Sequence, residues 1–177
     1  MSDILKPETF ARLQKHAVPL IDTLDTVINR ALDALEGSAP REISGNEIKI
    51  YNGTNHPDLT FTSLKAGKVD QKNLPRAKLY WNYVLQEVIL CCHKKGASID
   101  KIIDSIGINC SHGRKEDNGY RFLSELGFSV QGQNSNDAWR AVSNLAAAFD
   151  VLAEVHITWQ ENERAALPGS SAILRTS

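Results

Sequence analysis

Val151, Ala153, Val155, Ile157 and Trp159 occupy every second position of one short stretch, with Leu152, Glu154, His156 and Thr158 between them. Only an extended strand sends alternate side chains to one face. A half-buried strand cannot stand alone, so the chain must supply partner strands and a covering layer. Candidate partners are Ile48 to Tyr51, followed by the Asn52-Gly53 turn, and Leu59 to Leu64. Phe128 with Val130 and Ala172 to Arg175 read as two further short strands.

Helical periodicity supplies the cover. Arg76 to Lys95 carries Ala77, Tyr80, Trp81, Val84, Leu85, Val88, Ile89 and Cys92 on one broad face, ending in His93, Lys94, Lys95 and Gly96. Ser98 caps a short helix bearing Ile99, Ile102, Ile103 and Ile106, closed by Gly107. Asn134 or Ser135 caps a third helix whose inner face is Ala138, Trp139, Val142, Leu145, Ala146 and Phe149. The three tryptophans all fall on inner faces, which assigns them to the core. Tyr51 and Tyr120 are left for a groove.

Upstream, Pro7 to Glu36 reads as a long amphipathic helix. Phe10, Leu13, Ala17, Leu20, Leu24, Val27, Ala31 and Ala34 alternate spacings of three and four, and Pro19 predicts a kink. The expected organisation is an N-terminal helix over 1–37 and a globular domain over 38–177. The expected fold class is α+β: the long helix, about three further helices and a small, mainly antiparallel sheet. The stripe at Leu13, Leu20, Leu24 and Val27 is the expected contact for a protein partner or a second copy.

Composition narrows the class. A hydrophobic fraction of 42% and a charged fraction of 23% suit a chain with a real core. No apolar run approaches the ~20 residues of a membrane span, and the first residues lack a signal-peptide pattern. Three cysteines, two of them adjacent, suit reduced thiols in a cytoplasm. Net charge is −1, but residues 61–125 carry 11 basic and 7 acidic side chains, while both flanks are acidic. That basic middle is a footprint for an anionic partner, nucleic acid among them.

Three constellations carry specific chemistry. A helix-turn-helix would run from the Ser98 helix through Gly107 into a second helix at Ser111. It would bring Lys94, Lys95, Lys101, His112, Arg114, Lys115 and Arg121 to phosphates or bases, although Gly113, Asn118 and Gly119 oppose that second helix. Pro57-Asp58 followed by Asp70-Gln71-Lys72 has the order of a PD-(D/E)xK nuclease motif. There Asp58 and Asp70 would hold a divalent cation and Lys72 would activate water. The surrounding residues read instead as an exposed hairpin turn. Cys92, His93, Cys110 and His112 are soft ligands, but adjacent helical positions point about 100° apart, so no metal or cofactor is expected. The Cys110–His112 and Arg12–His16 pairs lack an orienting third group, and His156 shares the polar side of its strand with Glu154 and Thr158. The sequence therefore favours a non-enzymatic binding subunit of a larger, bacterial-type cytosolic complex. A metal-dependent nuclease and a pure protein-interaction scaffold are the alternatives.

Overall fold

The computed structural model describes residues 48–176, together with Ile28 upstream of them. The expected N-terminal helix, its Leu13, Leu20, Leu24 and Val27 stripe and the Arg12–His16 pair lie outside the described residues. Along the chain come β1 (Lys49–Asn52), β2 (Thr62–Val69), β3 (Lys72–Asn73) and a 3-10 turn (Arg76–Lys78). They are followed by α1 (Trp81–Lys94), α2 (Ile99–Ile106), β4 (Cys110–His112), β5 (Tyr120–Leu123) and β6 (Phe128–Gln131). The chain closes with α3 (Ser135–Phe149), β7 (Ala153–Trp159) and β8 (Ser171–Arg175).

The strands form two sheets, one of five strands ordered β1-β8-β7-β2-β3 and one of three ordered β4-β6-β5. This corrects the α+β expectation of one small, mainly antiparallel sheet. The described residues are a mixed α/β fold with three helices and eight strands, and β1 joins β8 in parallel. The missed strands have a physical explanation. β3, β4 and β5 hold two to four residues each, too few for a period of two to register. The parallel partner of β1 lies at the far end of the chain, and no local pattern reports such a pairing.

The nine-residue alternation becomes β7, the centre of the large sheet. Val155 sits between Leu174 and Gly67, and Ile157 between Ala172 and Leu64. Ala153, Val155, Ile157 and Trp159 are buried, whereas Glu154, His156 and Thr158 are half-buried on the other face. The register of β2 slips between Leu64 and Ala66, the signature of a bulge at Lys65. β2 runs to Val69 rather than stopping at Leu64, and Leu59, outside the strand, is fully buried.

Helices α1 and α3 pack together and form the core with the large sheet, through Val84, Leu85, Val88, Trp139, Val142 and Leu145. Ser98 caps α2, and Gly107 ends it at φ 72, a left-handed turn that glycine adopts without strain. Asn82 on α1 grips the backbone of Gln133 twice, accepting from its N–H at 2.8 Å and donating to its carbonyl at 2.9 Å. Among the described residues no helix is long and apolar enough to cross a membrane.

The element after α2 is a strand, not a recognition helix. β4 begins three residues after Gly107, and the Gly113–Gly119 segment folds back over the small sheet. The helix-turn-helix expectation is therefore corrected. Two local forces account for this: glycines at positive φ break any helix there, and Ser129 pins the loop. The buried Ser129 hydroxyl donates to the Gly113 carbonyl and accepts from the Lys115 N–H, both at 2.8 Å. Ser129→Ala removes both anchors. We expect trypsin to cut after Arg114 or Lys115 roughly five to ten times faster in that variant, the ratio that a loss of about 1 kcal/mol of local stability produces. Limited proteolysis followed by mass analysis checks it, and an unchanged cleavage rate would show that the loop is held by other contacts.

Candidate functional site

Val69 pairs with Lys72, leaving Asp70 and Gln71 as a two-residue hairpin loop. Asp70 adopts φ 47, a left-handed conformation that aspartate tolerates better than most side chains. Its backbone N–H donates to the Leu152 carbonyl at 2.7 Å. Its carboxylate accepts from the Leu152 N–H at 2.8 Å, from Cys91 Sγ at 3.3 Å, and pairs with Lys95 Nζ at 3.0 Å. One side chain thus joins the hairpin to the end of α1 and the start of β7. Burial pushes its pKa up, but the Leu152 N–H, Lys95 and Cys91 together hold it below the ordinary carboxylate value.

A second pair stands beside it. Lys72 Nζ meets Glu87 Oε2 at 2.6 Å, and Glu87 is nearly buried on α1. Burial opposes the Glu87 charge, and Lys72 and Tyr83 outweigh it, so this carboxyl also stays below its usual range. In return the Tyr83 hydroxyl is pushed up to about 12 by its bond to Glu87.

Between these pairs opens a cleft of about 350 Å³, lined by Val69, Asp70, Gln71, Lys72, Glu87 and Leu90, with Cys91 and Lys94 at its helical end. A smaller hollow of about 150 Å³ shares Asp70 and Gln71 and adds Lys68, Leu152, Glu154 and Arg175. Glu154 in that hollow holds Arg175 at 2.6 Å and His156 at 3.1 Å. Among the described residues, neither Lys68 nor Lys94 has an ion-pair partner.

The cysteines here are not poised as nucleophiles. Burial and the neighbouring Asp70 push the Cys91 thiol up, and burial takes Cys92 to about 12 and Cys110 to about 11. All three are free.

The residues singled out in the sequence divide between two places. Asp70, Lys72, Lys94 and Lys95 come together around the cleft. Asp58 does not join them: the eight residues of β2 lie between, about 23 Å at ~3.3 Å per step. Asp58 instead fastens a loop. Its carboxylate accepts from the Thr60 N–H at 2.8 Å, the Thr60 hydroxyl at 2.7 Å and Asn136 Nδ2 at 2.6 Å. The Thr60 N–H, then Asn136, hold its pKa down. The three residues of the nuclease pattern are therefore not assembled.

His112, Arg114, Lys115 and Arg121 belong to the small sheet, and most are spent on neighbours. Arg114 bonds Glu116 at 2.8 Å and lies 5.7 Å from the Phe122 ring. Lys115 lies 4.1 Å over Tyr120, Arg121 donates to the Tyr80 hydroxyl at 2.7 Å, and His112 faces Asp100 at 3.6 Å. Lys101 is exposed on α2. Among the described residues no group of three or more His, Cys, Asp or Glu side chains is placed to hold a metal ion.

Sequence reasoning missed Glu87, Tyr83 and Cys91. Their signal was present: Glu87 follows Val84 by three and precedes Cys91 by four, a carboxylate on an apolar helical face. A charge in that position requires a partner, and Lys72 is that partner.

No family model, curated protein or solved structure matches this chain.

Proposed function

We propose that this chain is a non-enzymatic binding subunit that takes a polyanion, a nucleic-acid backbone, on the β2–β3 edge of its large sheet. The supporting observation is where the basic surplus resides. Residues 61–98 carry seven basic and two acidic side chains, and both carboxylates, Asp70 and Glu87, are committed to Lys95 and Lys72. Residues 99–125 carry four basic and five acidic ones, so the loop around Arg114 and Lys115 offers no surplus. Lys65, Lys68, Arg76, Lys78 and Lys94 are exposed and, among the described residues, have no ion-pair partner. Along the β2–β3 edge, Lys68 lies on the Glu154 face of β2, Lys72 reaches Glu87 of α1, and Leu79, just after the 3-10 turn that carries Arg76 and Lys78, packs against Gly67. A non-catalytic role is favoured by the upward shift of the Cys91 thiol and by the pairing of both cleft carboxylates, Asp70 with Lys95 and Glu87 with Lys72. Reduced cysteines favour the cytoplasm, and the heptad stripe at Leu13, Leu20, Leu24 and Val27 favours work within a larger assembly.

Duplex and single-stranded oligonucleotides titrated at several salt concentrations test this reading. Binding should weaken steeply with salt, and replacing Lys68, Arg76 and Lys78 together by alanine should lower the salt slope by about 2 to 3, near 0.9 per lost contact on duplex. Replacing Arg114 and Lys115 should change it by less than about one contact. A folded protein that binds neither oligonucleotide at low salt would remove the proposal and favour a protein-interaction scaffold.

A further inference from the structure

We infer that the cleft between the Asp70–Gln71 turn and α1 is a binding site for a small monocarboxylate on an apolar stem. This goes beyond polyanion binding at the sheet edge.

Charge selects the head group. Asp70 and Glu87 face Lys72 and Lys94 across the cleft, and Lys95 reaches Asp70 from the end of α1. Asp70 is paired with Lys95 and Glu87 with Lys72, so among the charged side chains lining the cleft Lys94 is the one without an ion-pair partner among the described residues. A single carboxylate pairs with Lys94. A phosphate dianion would place a second negative charge beside two carboxylates, and an amine would meet Lys94 with like charge. The exposed Gln71 carboxamide sits on the same rim and can donate to the second oxygen.

Shape and polarity select the stem. Val69 and Leu90 line the cleft together with Cys91, whose thiol is turned toward Asp70. The volume of about 350 Å³ equals that of about a dozen waters, enough for a short alkyl or aryl acid. The floor is preformed, because Asp70 is held by Leu152, Cys91 and Lys95 and Glu87 by Lys72 and Tyr83, so an arriving ligand need not order them. A lysine charge over an apolar wall recognises an acid by its head and tolerates variation in its tail.

The test uses the full chain, uniformly labelled with nitrogen-15, with hexanoate as the probe and hexanol, hexylamine and hexyl phosphate as comparisons at constant ionic strength. Hexanoate should give saturable amide shifts confined to Val69–Lys72 and Leu90–Lys94. The three comparison compounds should bind at least about tenfold more weakly. Lys94→Gln should weaken hexanoate binding by about tenfold, and Gln71→Ala by about threefold, while amides elsewhere stay unperturbed. Hexanol binding as tightly as hexanoate, wild-type affinity in Lys94→Gln, or the absence of saturating shifts would each overturn the inference. The Lys68, Arg76 and Lys78 triple variant should keep its hexanoate response, so failure here and failure of oligonucleotide binding are separate results.

Discussion

Replacing Trp159 by alanine lowers the free energy of unfolding by about 4 kcal/mol, the range for deleting a large aromatic from a packed interior. Trp159 closes the buried row of β7, opposite Thr62 of β2, and is 1% exposed. Its indole N–H donates to the Asp58 carbonyl at 2.8 Å, so the ring both fills the core and fastens the loop before β2. The loop is held from its other side by Asn136 of α3, which accepts from the Leu59 N–H at 2.9 Å. Losing the indole therefore opens a cavity and strands a carbonyl. Trp159→Phe separates the two costs, because phenylalanine retains most of the apolar volume. It should lose about 1 to 2 kcal/mol, much of it the unpaired Asp58 oxygen. Urea unfolding checks both, as a lower midpoint at unchanged slope. A loss below about 1 kcal/mol in the alanine variant would contradict the packing described for β7.

The same residues show what the sequence revealed and where it stopped. β7 was legible because its alternation is long enough to admit one explanation, and its buried and half-buried residues fall as the pattern requires. α3 was legible for the same reason, down to Asn134, whose side chain accepts from the Asp137 N–H. Of the second sheet only β6 was legible, through Phe128 and Val130; β4 and β5 were not. β4 reads as a polar loop because its stabilising partner, Ser129, is a buried polar residue that no hydrophobic pattern marks. The helix expected over Arg76 to Lys95 forms only from Trp81 to Lys94, since the 3-10 turn Arg76–Lys78, entered from Pro75, occupies its first positions. At the cleft, the sequence marked Asp70 and Lys72 as members of a turn or, with Asp58, of a nuclease pattern, and pointed to none of the partners they have in the structure. Their partners, Cys91, Lys95 and Leu152 for Asp70 and Glu87 for Lys72, lie between 15 and 82 residues away. Pairings across such separations arise from topology, and the topology here includes a parallel strand and a second sheet that local periodicity does not encode.

Asp70→Ala should cost about 2 to 3 kcal/mol at pH 7, and the cost should shrink in acid. Two contributions add at neutral pH. The first is the loss of an acceptor for the Leu152 N–H and of the charge facing Lys95, about 1 to 2 kcal/mol. The second is the left-handed conformation at φ 47, which alanine adopts less readily than aspartate, at about 1 kcal/mol. Only the charge part titrates. Because the folded pKa of Asp70 lies below that of the unfolded chain, its stabilising charge is fully present above the ordinary carboxylate pKa of about 4. It is lost as pH falls through the lower, folded value. Glu87 and Glu154 shift in the same direction, so wild type itself should weaken over that window. The difference between wild type and Asp70→Ala should therefore narrow as pH falls below about 5 and Asp70 becomes protonated, leaving mainly the backbone contribution. Asp70→Asn retains a left-handed-tolerant side chain and an acceptor for Leu152 while losing the pair with Lys95. Its deficit should be about half that of alanine at pH 7 and should nearly vanish in acid. Urea unfolding of the three proteins at pH 7, 5 and 3 measures the differences directly. A wild-type advantage over Asp70→Asn that persists unchanged at low pH would mean that the Asp70 charge does not hold the hairpin to α1.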